Sequence, residues 1–233
     1  MRFRAVLFDA GETLVHPAPS FPELFARIVH DAGHDRDPDD VLAASAAVRR
    51  RFSEASREGL LWTLTPESSR TFWLGVYEQM LRSLDLPSAD GLRDTLYEGF
   101  TDIGNYALFD DVTETLDALD ATGVTLGIVS NFETWLDELL TALGVRERFP
   151  VRVISGLDGL EKPDPRIYRL ALARVGATAG EVAFVGDNPE FDIDPPAALG
   201  MFPVLIDRRE RHPQHDGSRV TDLRALPDVL EAA

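Results

Sequence analysis

Hydrophobic positions along the chain follow two different periods. Short apolar runs, rich in β-branched residues, lie at "RAVLF" (4–8), "VTLGIVS" (124–130), "VAFVG" (182–186) and "FPVLI" (202–206), with a weaker one, "VRVIS", at 151–155. Runs this short, without apolar/polar alternation, predict strands covered on both faces, as in a parallel sheet. Between them the spacing changes to that of one helical face: "DDVTETLDALDAT" before the second run, "TWLDELLTALG" after it, "DPRIYRLALARVG" after position 162 and "PPAALG" before 202. Strand alternating with helix predicts an α/β fold, a doubly wound parallel sheet of Rossmann-like type.

That rhythm stops between 18 and 106. This stretch carries no convincing strand, but helix starts stand at "SFPE", where Ser20 can cap and Glu23 close a capping box, and at "TPES", where Thr65 caps and Pro66 takes the first turn. Helical spacing continues through "FPELFARIV", "VLAASAAVRRRF" and "TFWLGVYEQMLRSL". The expected organisation is a core of residues 1–17 and 107–233 with a helical cap, 18–106, inserted after the first strand. Trp62 and Trp73 in that insertion read more readily as core than as lid. Residues 207–219 read as a polar loop, followed by a last helix near 223–232.

Charge narrows the partners. The 233 residues include 40 acidic against 23 basic ones, a net charge of −17, which would repel a polyphosphate backbone or an anionic membrane over most of the surface. Nucleic acid and membrane are therefore not expected partners. The chain has no cysteine, so disulfides and thiolate metal sites are excluded; this suits a reducing cytoplasm, the expected location. The first residues hold an apolar run too short for a signal peptide and already interrupted by an acid. Among the basic residues a single one is lysine, Lys162, and an isolated ammonium in an arginine-rich chain asks for a chemical reason.

In an open α/β sheet, ligands gather beyond the carboxyl ends of the strands. The runs end at Asp9, at Ser130 and Asn131, and at Asp187, while Lys162 occupies a loop between the weaker run and the next helix. Each also has a plain reading: Asp9 and Asp187 as turn residues, "SNF" as a helix N-cap, Lys162 as a solvated charge. Their order and their common place at strand ends carry the case.

Taken together, "FDAGETL", "IVSNF", "EKPDPRIY" and "VGDNPEFD" with "AALGM" resemble, in order, the four motifs of the haloacid dehalogenase-like (HAD) hydrolase superfamily. The helical insertion after the first motif is similar in length and character to that family's cap. The resemblance implies Asp9 as a nucleophile that accepts a phosphoryl group. Ser130 and the backbone amide of Asn131 would hold the phosphoryl oxygens, and Lys162 would pair with nucleophile and substrate. A metal would be held by Asp9, the carbonyl of Gly11 and Asp187, with Asp192 in its first or second shell. Asp194 has no counterpart and reads as surface. Three carboxylates gathered near one ammonium would repel by about 4 kcal/mol per pair at close range and an effective dielectric near 20. An all-oxygen donor set favours Mg²⁺. His30 and His34, four apart but separated by Gly33 at a helix end, are not expected to hold zinc.

Gly11 departs from the family pattern, which has a second acid there to protonate the leaving group and activate water. Its loss should cost about 10²- to 10⁴-fold for poor leaving groups and much less for acidic ones. Glu12 is the substitute acid/base to consider, although one step along a tight loop redirects a side chain by a large angle; His16 is weaker. The family's L-2-haloacid dehalogenases carry an aromatic at position 11 and lack the Gly–Asp pair kept here in "GDN". Its phosphonoacetaldehyde hydrolases need a second lysine, which this chain does not have. The expectation is a Mg²⁺-dependent phosphatase of small phosphorylated metabolites, acting through an aspartyl phosphate. The alternative is a phosphate-ligand binder with little or no turnover.

Overall fold

In the computed structural model, which describes residues 2–88 and 91–233, the strands are Ala5–Phe8 (β1), Val15–Pro17 (β2), Tyr106–Leu108 (β3), Thr125–Ser130 (β4), Val151–Ile154 (β5), Val182–Gly186 (β6), Phe202–Ile206 (β7) and Arg219–Val220 (β8). Six of them form one sheet in the order β5-β4-β1-β6-β7-β8, and each neighbouring pair is parallel. β1 is central, and all four of its residues are buried. That double burial explains its unbroken apolar run. The register sets Phe8 beside Ile128 on one side and Val185 on the other. Asp9, Ser130 and Asp187 therefore come together at the carboxyl ends of the central strands.

Helices cover the strands. Pro165–Val175 (α7) packs on β4 and β5, setting Ile167, Tyr168 and Ala171 into a buried cluster with Leu7, Val129, Val153 and Phe184. Burying each large side chain of this kind contributes about 1.5–3 kcal/mol. Asp164 caps α7 by accepting from the Arg166 N–H, Pro165 takes the first turn, and Gly176 ends the helix at a φ of 69°, a left-handed conformation that glycine adopts without a Cβ clash. Val112–Asp120 (α6) packs on β4, and Leu226–Ala232 (α8) on α6.

The chain divides into two compact units, residues 1–15 with 108–233, and residues 16–107. The second unit is helical: Phe21–Asp31 (α1), Pro38–Ala44 (α2), Ala46–Glu58 (α3), Pro66–Ser83 (α4) and Leu92–Thr101 (α5). Ser20 caps α1 by accepting from the Glu23 N–H at 3.3 Å, and its hydroxyl donates to Glu23 Oε2 at 2.6 Å. Thr65 caps α4 in a box closed by Ser68, with Pro66 in the first turn. Trp62 is buried and stacks on Phe72 with centroids 5.0 Å apart. Trp73, half-buried, packs between Phe72 and Tyr77, so both rings belong to this unit's aromatic core.

Three short strands differ from the sequence expectation. β2 and β3, three residues each, pair with one another, and β8 takes Arg219 out of the stretch expected to be loop. Segments this short show no readable period and form only because a partner strand is present. Among the described residues, no helix is long and apolar enough to cross a membrane.

Candidate active site

The site is built around Asp9, the first residue beyond β1, whose N–H donates to the Val185 carbonyl at 2.8 Å. One oxygen of its buried carboxylate, Oδ1, accepts from Ser130 Oγ at 2.9 Å and from Lys162 Nζ at 2.7 Å. Lys162 Nζ also donates to Asp192 Oδ1 at 2.7 Å, and the lysine is 3% exposed. The chain's one lysine thus bridges two carboxylates in the interior.

Asp192 lies in a wide turn, Pro189–Ile193, that follows β6. Its second oxygen accepts from the Asn188 N–H at 3.0 Å. The turn folds its side chain back onto the strand end, and this requires Gly186. A Cβ at Gly186 would stand 2.3 Å from Asp192 Cγ and 2.5 Å from its Oδ2. Asp187, half-buried, completes the group: one carboxylate oxygen from each of Asp9, Asp187 and Asp192 lies within 4.8 Å of the other two.

Charge at this point is unbalanced, with three carboxylates facing one ammonium. Burial alone would push the Lys162 pKa down, but Asp192 and Asp9 more than reverse this and hold it above that of an ordinary lysine. Loss of solvent, with Asp192 and Asp9 close by, raises the Asp187 carboxyl well above the usual range. Asp192 is raised as well, because burial and the nearby Asp9 outweigh the attraction of Lys162. Carboxyl groups that resist ionisation for want of positive charge are what a cation would relieve. The donor set therefore fits a hard divalent ion bound by oxygen.

Other expected residues lie as follows. The Asn131 side chain engages the Lys162 peptide: Oδ1 accepts from the Lys162 N–H at 2.7 Å and Nδ2 donates to its carbonyl at 2.8 Å. A Cβ at Gly11 would meet nothing within 4 Å, so the position is spatially open. Glu12 sits at a φ of 57°, in the left-handed region, and its Oε2 lies 3.3 Å from Arg209 Nη2. His16 Nδ1 is 2.7 Å from the Pro17 carbonyl. His30 lies 2.6 Å from Asp35 Oδ1. Asp194 is exposed at the start of the short helix Asp194–Ala198. Sequence reasoning overlooked Tyr168, whose buried hydroxyl donates to the Phe191 carbonyl and so anchors the turn that carries Asp192. It also overlooked the Asn188 N–H, although "GDN" marks the place.

A sequence model described as haloacid dehalogenase-like hydrolase matches residues 3–200. The chain belongs to the haloacid dehalogenase-like hydrolases. It is 31% identical to a phosphoserine phosphatase of Thermus thermophilus, over 96% of this chain and 97% of that protein. It is also 30% identical to (S)-2-haloacid dehalogenase 4A of Burkholderia cepacia, over 91% of this chain and 87% of the other. Its fold matches that of the HAD hydrolase YfnB of Bacillus subtilis, solved with magnesium, at a TM-score of 0.77, 17% identity and 99% coverage of both chains. The chain is thus a hydrolase with relatives of two chemistries, and the choice between them lies in the site.

Proposed function

We propose that this HAD hydrolase is a Mg²⁺-dependent phosphatase of small phosphorylated metabolites, working through an aspartyl phosphate on Asp9. The observation that supports the reading best is the arrangement of Asp9 itself: Oδ1 is tied to Ser130 and Lys162, while Oδ2 takes no hydrogen bond among the described residues. A carboxylate anchored through one oxygen presents the other as nucleophile. Asp9 Oδ2 attacks phosphorus, the bond to the leaving oxygen breaks, and that oxygen departs with the electron pair. Ser130 and Lys162 face the oxygens of the transferred group, where charge neutralisation and positioning supply most of the acceleration. Water then attacks the phosphorus of the aspartyl phosphate, releasing phosphate and restoring Asp9. Mg²⁺ held by Asp9, Asp187, Asp192 and the Gly11 carbonyl would supply charge to the phosphate oxygens and pre-orient them. The inserted unit, read as a cap, is assigned to substrate choice.

The dehalogenase reading is less favoured because Asp187 adds a third carboxylate beside Asp9 and Asp192, and halide displacement has no use for a cation there. A binder with little turnover is the second reading. It rests on Gly11, which offers no acid, and on the pairing of Glu12 with Arg209.

The test uses p-nitrophenyl phosphate and acetyl phosphate with and without Mg²⁺, and halide release from a 2-haloacid. Metal-dependent phosphate release that Asp9→Asn abolishes is expected. Halide release that needs no metal would overturn the proposal, and measurable Mg²⁺ binding without turnover would favour the binder.

A further inference from the structure

Lys162 can bridge Asp9 and Asp192 only if its backbone starts from the right place. A lysine side chain has a flexible four-carbon stem whose rotamer freedom is lost when its ammonium is held in one place. Both of its contacts are 2.7 Å long, so a small shift of the backbone would break one of them. The grip on that backbone comes from one side chain. Asn131, just beyond β4, spends its carboxamide oxygen on the Lys162 N–H and its amide nitrogen on the Lys162 carbonyl. The two bonds hold the peptide groups on either side of the Lys162 Cα.

Asn131 is itself secured through the next residue. Ser155, fully buried at the end of β5, accepts from the Phe132 N–H at 2.9 Å and donates to the Phe132 carbonyl at 3.0 Å. The Gly156 N–H donates to the same carbonyl at 3.0 Å. Gly156 must lack a side chain for this contact, because a Cβ would lie 2.9 Å from Thr134 N and 3.1 Å from the Glu133 backbone. The end of β5 thus holds the segment after β4, which in turn holds Lys162.

We infer that Asn131 is a positioning residue for Lys162, with Ser155 and Gly156 as its anchor, and that its side chain has no part in holding substrate. The kinetic consequence rests on the phosphatase reading; the positional one does not. Lys162 is the chain's only lysine, so protein grown with isotopically labelled lysine Cε gives one resonance, and that resonance reports this ammonium alone. Asn131→Ala is expected to move it toward the position of free lysine or broaden it. The same variant should lower kcat by about 10- to 100-fold, as loss of alignment does, with KM within about threefold of wild type. Asn131→Asp keeps the shape and the acceptor but sets a second oxygen against the Lys162 carbonyl, and should move the resonance too. It decides the matter if Asn131→Ala fails to fold. An unchanged resonance in the folded variant overturns the inference, as does a raised KM with kcat intact, which would mark a substrate contact. Wild-type protein without turnover would defeat the phosphatase reading and still leave the resonance to decide this one.

Discussion

A glycine at position 11 and a glycine at position 186 shape the site by what they lack. Position 11 has open space around a would-be Cβ, and its φ is not among the positive ones. An acid can therefore be placed there without strain. If proton transfer to the leaving group is what the site lacks, Gly11→Asp should raise turnover of alkyl phosphates by about 10²- to 10⁴-fold while changing p-nitrophenyl phosphate much less; the ratio of the two kcat/KM values measures it. At Gly186 the opposite holds, since a Cβ would collide with Asp192. Gly186→Ala should weaken Mg²⁺ binding by about 10- to 100-fold, the usual cost of disturbing a ligand's support, as read by titration calorimetry. Asp9, Ser130 and Asp187 stand out in the sequence because each lies at the end of an apolar run, and Lys162 because it is the chain's one lysine. The Asn131 clasp was not, since its partner lies 31 residues away and an Asn after a strand reads equally as a helix cap.

At the scale of elements, the segment after β7 ties three parts of the first unit together. Arg208 donates to both oxygens of Asp111, the residue before α6, and to the Thr13 carbonyl, while its guanidinium lies 3.8 Å from the centre of the Phe109 ring. Asp111 is buried and also accepts from the Leu223 N–H at 2.7 Å. Burial alone would raise its pKa; Arg208 and the Leu223 N–H outweigh that and hold it below the usual carboxylate range. A folded pKa below the unfolded one contributes stability that is present above the unfolded value and disappears as pH falls through the folded value. Asp111→Asn should cost about 2–3 kcal/mol at neutral pH, discounted from a fully buried pair because Arg208 is partly exposed. In thermal melts, its gap to wild type should close below about pH 4. A gap that stays constant in acid would show that the pair's charge is not what stabilises. The buried strands are readable as unbroken apolar runs and the amphipathic helices from their period, whereas β2, β3 and β8 depend on neighbours that no local pattern announces.

For the whole molecule, the gathered carboxylates set function against stability. A net charge of −17 leaves no general excess of cations to offset Asp9, Asp187 and Asp192, so the metal-free protein bears their repulsion. Asp187→Asn removes one of these charges and should raise the melting temperature without metal, while abolishing the further rise that Mg²⁺ gives wild type. A ligand at a hundred times its Kd stabilises by about 2.7 kcal/mol, a shift readily seen by calorimetry. Equal Mg²⁺ responses in both proteins would place the ion elsewhere.

In the proposed reaction Asp9 becomes phosphorylated. Rapid quenching after mixing with radiolabelled acetyl phosphate, followed by peptide mapping, tests it directly. Label is expected on Asp9, forming only with Mg²⁺ and absent from Asp9→Asn. Turnover with no label on Asp9, or label that persists in Asp9→Asn, would contradict it.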